Sequence, residues 1–394
     1  MTGFDRLNKE VVSIGLCTDC GTCAGVCPGK CLEMDYRLEE PQLVKKCLPD
    51  CQVCWQVCPG KDIPMLDLER MLFGRERGAD EMLLGIGETY SKCHAADPEV
   101  RGQAGGGGMI SALLIYALEN DLIDGAVVVT MSKKQPWVAA PSIATSRAGV
   151  IAAAQAKETV VPVNEILGEA VGRGLSRLAV VGLPCHIHGI RKAQMLGEPD
   201  WARDKIKYLI GLFCGSNYTA RATEHIIGEW AELKLPEVAK VEYRAGEYPG
   251  QLTLTTKKGE VIVIPRRAQR NSQQAHEHDR CVVCYDYSNE LADISVGDCY
   301  GLEMTEGVPG QSTAIVRTEA GMSLYEGAAD KEYIHLEPMD MEDFFRGGFE
   351  LKKHGGAYHI AERRRYGLPY PDFHLPMDYR SLPREINMYH PLIS

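Results

Sequence analysis

The chain reads as an α/β protein with a small, cysteine-dense unit at its front, residues 1–80, followed by a larger unit over 81–394. Three observations lead there. Nine of the fifteen cysteines fall between Cys17 and Pro59. From residue 105 onward, glycine-led helical periodicity alternates with short apolar runs of strand length. At 394 residues the chain is long enough for two or three units at roughly 150 residues each.

The first unit is defined by its cysteines. Cys17, Cys20, Cys23 and Cys27 follow C-x2-C-x2-C-x3-C into Pro28, and Cys47, Cys51, Cys54 and Cys58 precede Pro59. This spacing wraps thiolates around iron–sulfur cubes. Structural zinc would use four-cysteine sites of similar spacing, and a disulfide framework would need an oxidising compartment. The pair of motifs resembles a bacterial two-cluster ferredoxin, an α+β module in which each half lends its last cysteine to the other cluster. That resemblance implies one set of Cys17, Cys20, Cys23 and Cys58 and another of Cys27, Cys51 and Cys54 with Cys47. The second half opens with C-x3-C where ferredoxins have C-x2-C, so Cys31 stays open as a substitute fourth ligand.

Residues 62–84 carry Met65, Leu66, Leu68, Met71 and Leu72 among charges and predict a helix leading out of this unit. Residues 90–102 turn polar, and the adjacent Cys93 and His94 receive no role. Gly105, Gly106, Gly107 and Gly108 then open a helix from Met109 to Asn120. A glycine-led helix N-terminus offers unpaired N–H groups to a phosphate, although a flexible loop has the same composition. Asp124-Gly125 leads into the strand-like run 126–129. Residues 178–181 read as a strand, Gly182-Leu183-Pro184 as a turn and 185–196 as a helix, which puts Cys185 at a helix N-terminus, suited to a nucleophile or a metal ligand. The run 206–213 ends at Cys214, where ligands of open α/β sheets collect.

Residues 241–265 alternate as a hairpin and end in Arg266, Arg267 and Arg270. His276, His278, Cys281 and Cys284 follow; locally they could bind zinc, whereas Cys281 and Cys284 complete a set of four with Cys185 and Cys214. Residues 292–298 and 312–318 predict two more strands. The tail from Phe344, with Arg363–Arg365 and Pro369–Asp372, shows little periodicity and reads as a wrapping, partner-facing segment.

A formal charge of −11 argues against nucleic acid or anionic membrane as a partner. No apolar run approaches the roughly 18 residues of a membrane span. Fifteen reduced cysteines fit the cytoplasm.

Several ordered blocks resemble the coenzyme F420 hydrogenase/dehydrogenase beta-subunit family, which includes 7-hydroxymethyl chlorophyll a reductase. They are residues 104–118 with 122–126, Gly182-Leu183-Pro184-Cys185-His186, Leu212-Phe213-Cys214, Cys281-x2-Cys284-x-Asp286, residues 292–298, and Val316-Arg317-Thr318. The resemblance implies FAD on a mixed sheet with flanking helices and a [4Fe–4S] cluster on Cys185, Cys214, Cys281 and Cys284, for three clusters in all. It also implies that Gly105 to Gly108 with Met109 hold the FAD pyrophosphate and that Gly182 and Pro184 shape the same site. Lys157 stands where the family has G-S-K-Y and is a possible catalytic residue. Here Ala156 and Glu158 replace its serine and tyrosine, and His186 replaces a glutamine.

The implied activity is hydride exchange with coenzyme F420 at FAD, with single electrons passed through the clusters to another subunit of a redox complex or to ferredoxin. Two rivals stay open: a ferredoxin-fed FAD reductase of another organic substrate, and a relay subunit without its own substrate. F420 carries a phosphate and a polyglutamate tail, for which Lys157, Arg266, Arg267 and Arg270 are the basic candidates.

Overall fold

The computed structural model describes residues 1–299, 309–341, 349–376 and 380. Its strands are β1 (Leu32–Asp35), β2 (Glu40–Leu43), β3 (Thr89–Ala95), β4 (Gly125–Met131), β5 (Ala139–Ala144), β6 (Leu178–Gly182), β7 (Ile206–Leu212), β8 (Val238–Ala245), β9 (Gln251–Thr256), β10 (Val261–Ile264), β11 (Ile294–Asp298), β12 (Ser312–Val316) and β13 (Ile334–Pro338). Eight of them form one mixed sheet in the order β13-β3-β12-β11-β7-β6-β4-β5. Its centre, β4-β6-β7-β11, is parallel, and its flanks are antiparallel.

The central strands are apolar on both faces, as buried parallel strands must be. Because side chains alternate, Ala126, Val128, Ala179 and Ile210 enter one core beneath the helices Met109–Glu119 and Glu319–Asp330. Val127, Val180 and Leu209 enter the opposite core with Ile187 and Ile190 of the helix Pro184–Leu196. That helix starts with proline at its first position and stops at Gly197, whose φ of 75° a side chain would disfavour.

Three expectations change. The polar stretch after residue 90 hides β3, which lies between β12 and β13; Ser91, Cys93 and Ala95 point inward, so the polar partners that alternate with them mask the strand. The helix expected over 62–84 is only Met65–Phe73, closed by Gly74 at φ 70°. The tail contains the helix Phe349–Arg365 and then folds onto its own chain: the Ile63 N–H donates to the Asp372 carbonyl (2.7 Å), the Asp372 N–H to the Lys61 carbonyl (2.8 Å), and Phe373 is buried against Tyr285 and His188. The last fourteen residues of the tail lie outside the described ones.

The front unit holds the hairpin β1-β2 and two short helices, Thr22–Gly25 and Val53–Gln56, around Leu7, Val11, Leu16, Leu32 and Met34. Val26, Val53 and Val57 continue into a cluster with Ala193 and Ala202, so the unit packs on the helix Pro184–Leu196. Polar ties reinforce this contact. The Asn164 N–H donates to the Cys20 carbonyl (3.1 Å), and Lys192 Nζ donates to the carbonyls of Cys58 (2.7 Å) and Asp62 (2.8 Å).

The approach is close enough to demand glycine. A methyl on Gly25 would fall on the Asn164 carbonyl oxygen, and one on Gly189 would fall on Thr22 Oγ1. Gly189→Ala should therefore lower stability by about 1–3 kcal/mol, the usual cost of overpacking. Gly172→Ala, whose new methyl would meet nothing within 4 Å, should cost less than about 0.5 kcal/mol. Thermal unfolding of the two variants checks the difference.

Candidate metal and cofactor sites

The fold gathers twelve of the cysteines into three groups. Cys17, Cys20, Cys23 and Cys58 form the first: burial pushes the thiols of Cys17 and Cys23 well up, and neighbouring thiols add to it, Cys58 for Cys17 and Cys20 for Cys23. Cys58 is pushed up to about 11 by burial and by Cys20, against the opposing pull of the Gly60 N–H, Lys192 and Arg280. The second group lines a small cavity with Phe4, Pro28 and Leu48 and contains Cys27, Cys47, Cys51 and Cys54, with Cys31 beside them. Burial, followed by Cys27, Cys51 and Cys47, raises Cys54 to about 12.

The third group is assembled from distant segments. Cys185 lies in the first turn of the helix after β6, Cys214 just beyond β7, and Cys281 and Cys284 at the short helix Asp279–Val282. All four line one cavity. Burial raises Cys185 most, and among its neighbours the first is Cys20, ahead of Cys214, Cys281 and Cys284. The first and third groups are therefore adjacent.

Protonated thiols in these positions are crowded and dry, whereas thiolates bound to metal would bring negative charge that needs a counter-charge. Two buried cations, Lys192 and Arg280, and the half-buried Lys352 stand where it is needed. Lys192 and Arg280 act on Cys58, Lys352 acts on Cys214 and Cys281, and Lys352 Nζ donates to the Cys281 carbonyl (2.6 Å). Among the described residues, no three His, Cys, Asp or Glu side chains converge closely enough for a single metal ion. The local zinc reading also loses His276, whose Nε2 meets His225 Nδ1 at 3.0 Å.

A second cavity of about 620 Å³ opens at the C-terminal ends of the parallel strands, lined by Gly182, Leu212, Gly297 and Asp298 among others. Gly105, Gly106, Gly108, Met109 and Lys157 line it as well. Gly108, at φ 77°, begins the helix Met109–Glu119 with no side-chain cap, which leaves its first N–H groups for a ligand. The glycines are needed for close approach: a Cβ on Gly106 would stand 2.7 Å from Asp298 Oδ1, and one on Gly107 would stand 2.6 Å from the Ser312 N. Gly107 itself is turned into the sheet edge, its N–H donating to Ser312 Oγ (3.0 Å), and Pro184 lines the thiol cavity instead.

Lys157 is not placed as an acid or base. Its Nζ donates to the carbonyls of Ala153 (2.6 Å), Ala154 (2.6 Å) and Gln155 (3.0 Å), capping the helix Arg147–Ala152. Burial draws it down to about 8, so it stays protonated at neutral pH. His186 is fixed in one tautomer, since its Nδ1 accepts from the Leu183 N–H (2.9 Å) and its Nε2 donates to the Val161 carbonyl (2.9 Å). Burial lowers it to about 4, and the neutral ring secures the turn that carries Cys185.

Sequence reasoning missed several wall residues. Arg244 of β8 pairs with Asp298 (2.6 Å), and Gln269 and Gln273 donate to Glu158 (2.8 and 2.9 Å) from the helix Arg266–Gln274. Gln273 Oε1 and Thr159 Oγ1 are buried without a protein partner in residues that line the cavity, as a polar ligand would require. Arg266 and Arg270 line it too, whereas Arg267 is exposed outside the lining. The two cavities share a wall of Val161, Leu183, His186, Cys214, Ser216 and Asn217.

Residues 90–168 and 175–342 match the family models described as the N-terminal and C-terminal parts of the coenzyme F420 hydrogenase/dehydrogenase beta subunit. Coenzyme F420 hydrogenase subunit beta of Methanothermobacter thermautotrophicus is 32% identical over 297 residues, 74% of this chain and 100% of that protein. Its Methanosarcina barkeri counterpart is 30% identical over 298 residues, 73% and 96% respectively. Coenzyme F420-dependent sulfite reductase of Methanocaldococcus jannaschii is 29% identical over 387 residues, 95% of this chain but 54% of that protein. A chain in the structure of the F420-reducing [NiFe] hydrogenase complex from Methanosarcina barkeri superposes with a TM-score of 0.60 at 28% identity, over 74% of this chain and 97% of that one.

The buried Lys157 predicts a pH effect. From about pH 8 to the ordinary lysine value of 10.5 the unfolded chain holds a proton that the folded chain has released, so stability from this group rises with pH across that window. Lys157→Met removes the slope. Denaturant unfolding at pH 7.5 and 9.5 should show wild type gaining on the variant by on the order of 1 kcal/mol.

Proposed function

Because the chain belongs to the coenzyme F420 hydrogenase/dehydrogenase beta-subunit family, we propose that it is an oxidoreductase subunit that exchanges hydride with coenzyme F420 at FAD. Single electrons then pass through three [4Fe–4S] clusters to a partner subunit or ferredoxin. The large cavity would hold FAD, with Gly105, Gly106, Gly108 and Met109 available to its pyrophosphate. Cys185, Cys214, Cys281 and Cys284 hold the cluster beside it. Residues 1–80 act as a two-cluster ferredoxin-like module, with Cys17, Cys20, Cys23 and Cys58 on the inner cluster and Cys27, Cys47, Cys51 and Cys54 on the outer one. When bound, FAD supplies the exchange between two-electron hydride chemistry and the one-electron steps that clusters carry.

The observation that carries this reading is the shared wall. Cys214, Leu183 and His186 face both the large cavity and the third thiol group, and Cys185 in turn neighbours Cys20 of the first group. The groups thus succeed one another from the cavity outward, with Cys54, a neighbour of Cys23, leading on to the second. The chain's own residues supply position and charge: His186 locks the turn, Arg280 and Lys192 offset the sulfur charge, and the unpartnered Thr159 Oγ1 and Gln273 Oε1 offer hydrogen bonds to a polar ligand.

On the substrate side, Lys157, Arg266 and Arg270 line the cavity and Arg267 does not, and since Lys157 Nζ is taken up by three backbone carbonyls, Arg266 and Arg270 are the groups left to bind the tail. Guanidinium groups there suit phosphate and carboxylates of the F420 tail.

Anaerobically purified protein should contain about twelve iron atoms, four per cube, and reduced F420 should bleach its flavin absorbance. A flavin that F420 leaves oxidised would overturn the F420 reading in favour of a ferredoxin-fed reductase. Replacing Arg266 and Arg270 by alanine should raise the Michaelis constant for F420 about tenfold with turnover little changed, as expected when binding common to ground and transition states is lost. Arg267→Ala should leave both constants alone. Steady-state kinetics at two salt concentrations tests this, and the effect should be larger at low salt.

A further inference from the structure

The outermost thiol group holds one cysteine more than a cube needs. Cys27, Cys31, Cys47, Cys51 and Cys54 all line the same cavity, and a [4Fe–4S] cluster takes four. The two candidates for the fourth place are unlike. Cys47 belongs to a segment without regular structure, between the exposed Lys45, Lys46 and Leu48, and one residue further from its neighbour Cys51 than Cys17 is from Cys20. Cys31 is only 2% exposed and immediately precedes β1. Its backbone N–H donates to Cys27 Sγ (3.3 Å), and its thiol donates to the carbonyl of Lys46, the residue before Cys47 (3.2 Å). Cys27 and Cys47 are the thiols that act on it electrostatically. Cys31 is thus parked beside the one ligand whose spacing is irregular.

We propose that Cys31 is an alternate fourth ligand of the outer cluster, exchanging with Cys47 while Cys27, Cys51 and Cys54 hold the cluster throughout. The inference rests on the reading that this cavity holds a [4Fe–4S] cluster. In the exchange, the Cys31 sulfur gives up its proton and bonds to iron, while the Cys47 sulfur leaves iron and takes up a proton. No electron is gained or lost. The Cys31 thiol must abandon the Lys46 carbonyl as it turns inward, which frees the segment carrying Cys47 at the same moment. A cluster at the outer end of an electron path would in this way survive the loss of the ligand carried by its exposed, irregular segment.

Iron and acid-labile sulfide analysis with reduced-state EPR on the full chain tests it. Alanine is the replacement, because a serine hydroxyl could itself bind iron. Cys47→Ala and Cys31→Ala should each keep about twelve iron atoms, with the EPR signal of one cluster changed in Cys47→Ala; the double variant and Cys54→Ala should each fall to about eight. A fall to about eight in Cys47→Ala alone overturns the proposal, as does a double variant that keeps about twelve. Altered spectra in Cys31→Ala with none in Cys47→Ala would make Cys31 the standing ligand and overturn the exchange. Wild-type protein with only about eight iron atoms would instead defeat the outer-cluster reading, and this inference with it. In unmutated protein, alkylation of Cys47 by iodoacetamide, located by peptide mass spectrometry, should leave the iron content unchanged; loss of four atoms overturns the proposal without any variant.

Discussion

The structure is organised by the need to bury sulfur close to sulfur. A thiol placed in a dry interior among other thiols resists ionisation, and the groups at Cys17, Cys23 and Cys185 are held far up for that reason. Metal coordination reverses the preference but leaves negative charge in a medium that solvates it poorly. Much of the surrounding architecture answers this one demand: short helices and turns bring N–H groups to the sulfurs, and lysines and arginines that would otherwise sit in solvent are drawn inside. Lys192 is almost fully buried in the middle of a helix, an arrangement that its bonds to the Cys58 and Asp62 carbonyls and its ion pair with the Asp62 carboxylate (2.9 Å) make tolerable.

The sheet supplies the positions. Parallel strands that end at one edge place Gly182, Leu212 and Asp298 in a row, and the segments that follow carry Cys185, in the first turn of a helix, and Cys214. Asn164 then joins the two units. Its side-chain amide donates to Thr22 Oγ1 (2.8 Å) and to the His186 carbonyl (2.8 Å), while Thr22 Oγ1 lies 3.2 Å from Cys20 Sγ. One buried amide therefore fixes the first thiol group relative to the turn that bears the third. A hydrogen-bonded link of this kind holds its members more tightly than apolar packing alone, because leaving any of them unsatisfied is costly.

What the sequence made legible follows from how local each signal is. Cysteine spacing is local, so the cysteines that the front unit brings together stand out in its motifs, and apolar runs announced β4, β6, β7, β11 and β12. β3 was hidden because a strand between antiparallel neighbours can carry lysine and histidine on one face while Cys93 and Ala95 fill the core from the other. The large cavity was only half visible. Its glycine loop has a motif, but Arg244, Asn217, Gln269 and Gln273 arrive from separate elements through tertiary folding, and nothing in their immediate sequence distinguishes them from surface polar residues. Lys157 shows a different limit: its position in a motif suggested chemistry, whereas nothing in the sequence announces the three carbonyls that its ammonium group caps.

Arg280 shows how an acidic protein can place positive charge where sulfur needs it. The chain carries a formal charge of −11, and several of its buried cations, Arg77, Arg191 and Lys353 among them, are paired with carboxylates. Arg280 is buried, and its guanidinium bonds go to backbone carbonyls: Pro59 and Gly60 (both 3.4 Å), just after Cys58, and Val283 (3.0 Å), just before Cys284. A carbonyl satisfies the donor without cancelling the charge, whereas a carboxylate would do both. The uncancelled charge acts on Cys58 of the first group and on Cys281 of the third. Phe373, from the C-terminal segment, covers the guanidinium at 5.8 Å from its ring centroid. The segment that closes over the junction thus excludes water from a cation shared by two neighbouring sulfur groups, and a shared cation in a poorly screened interior favours negative charge on both.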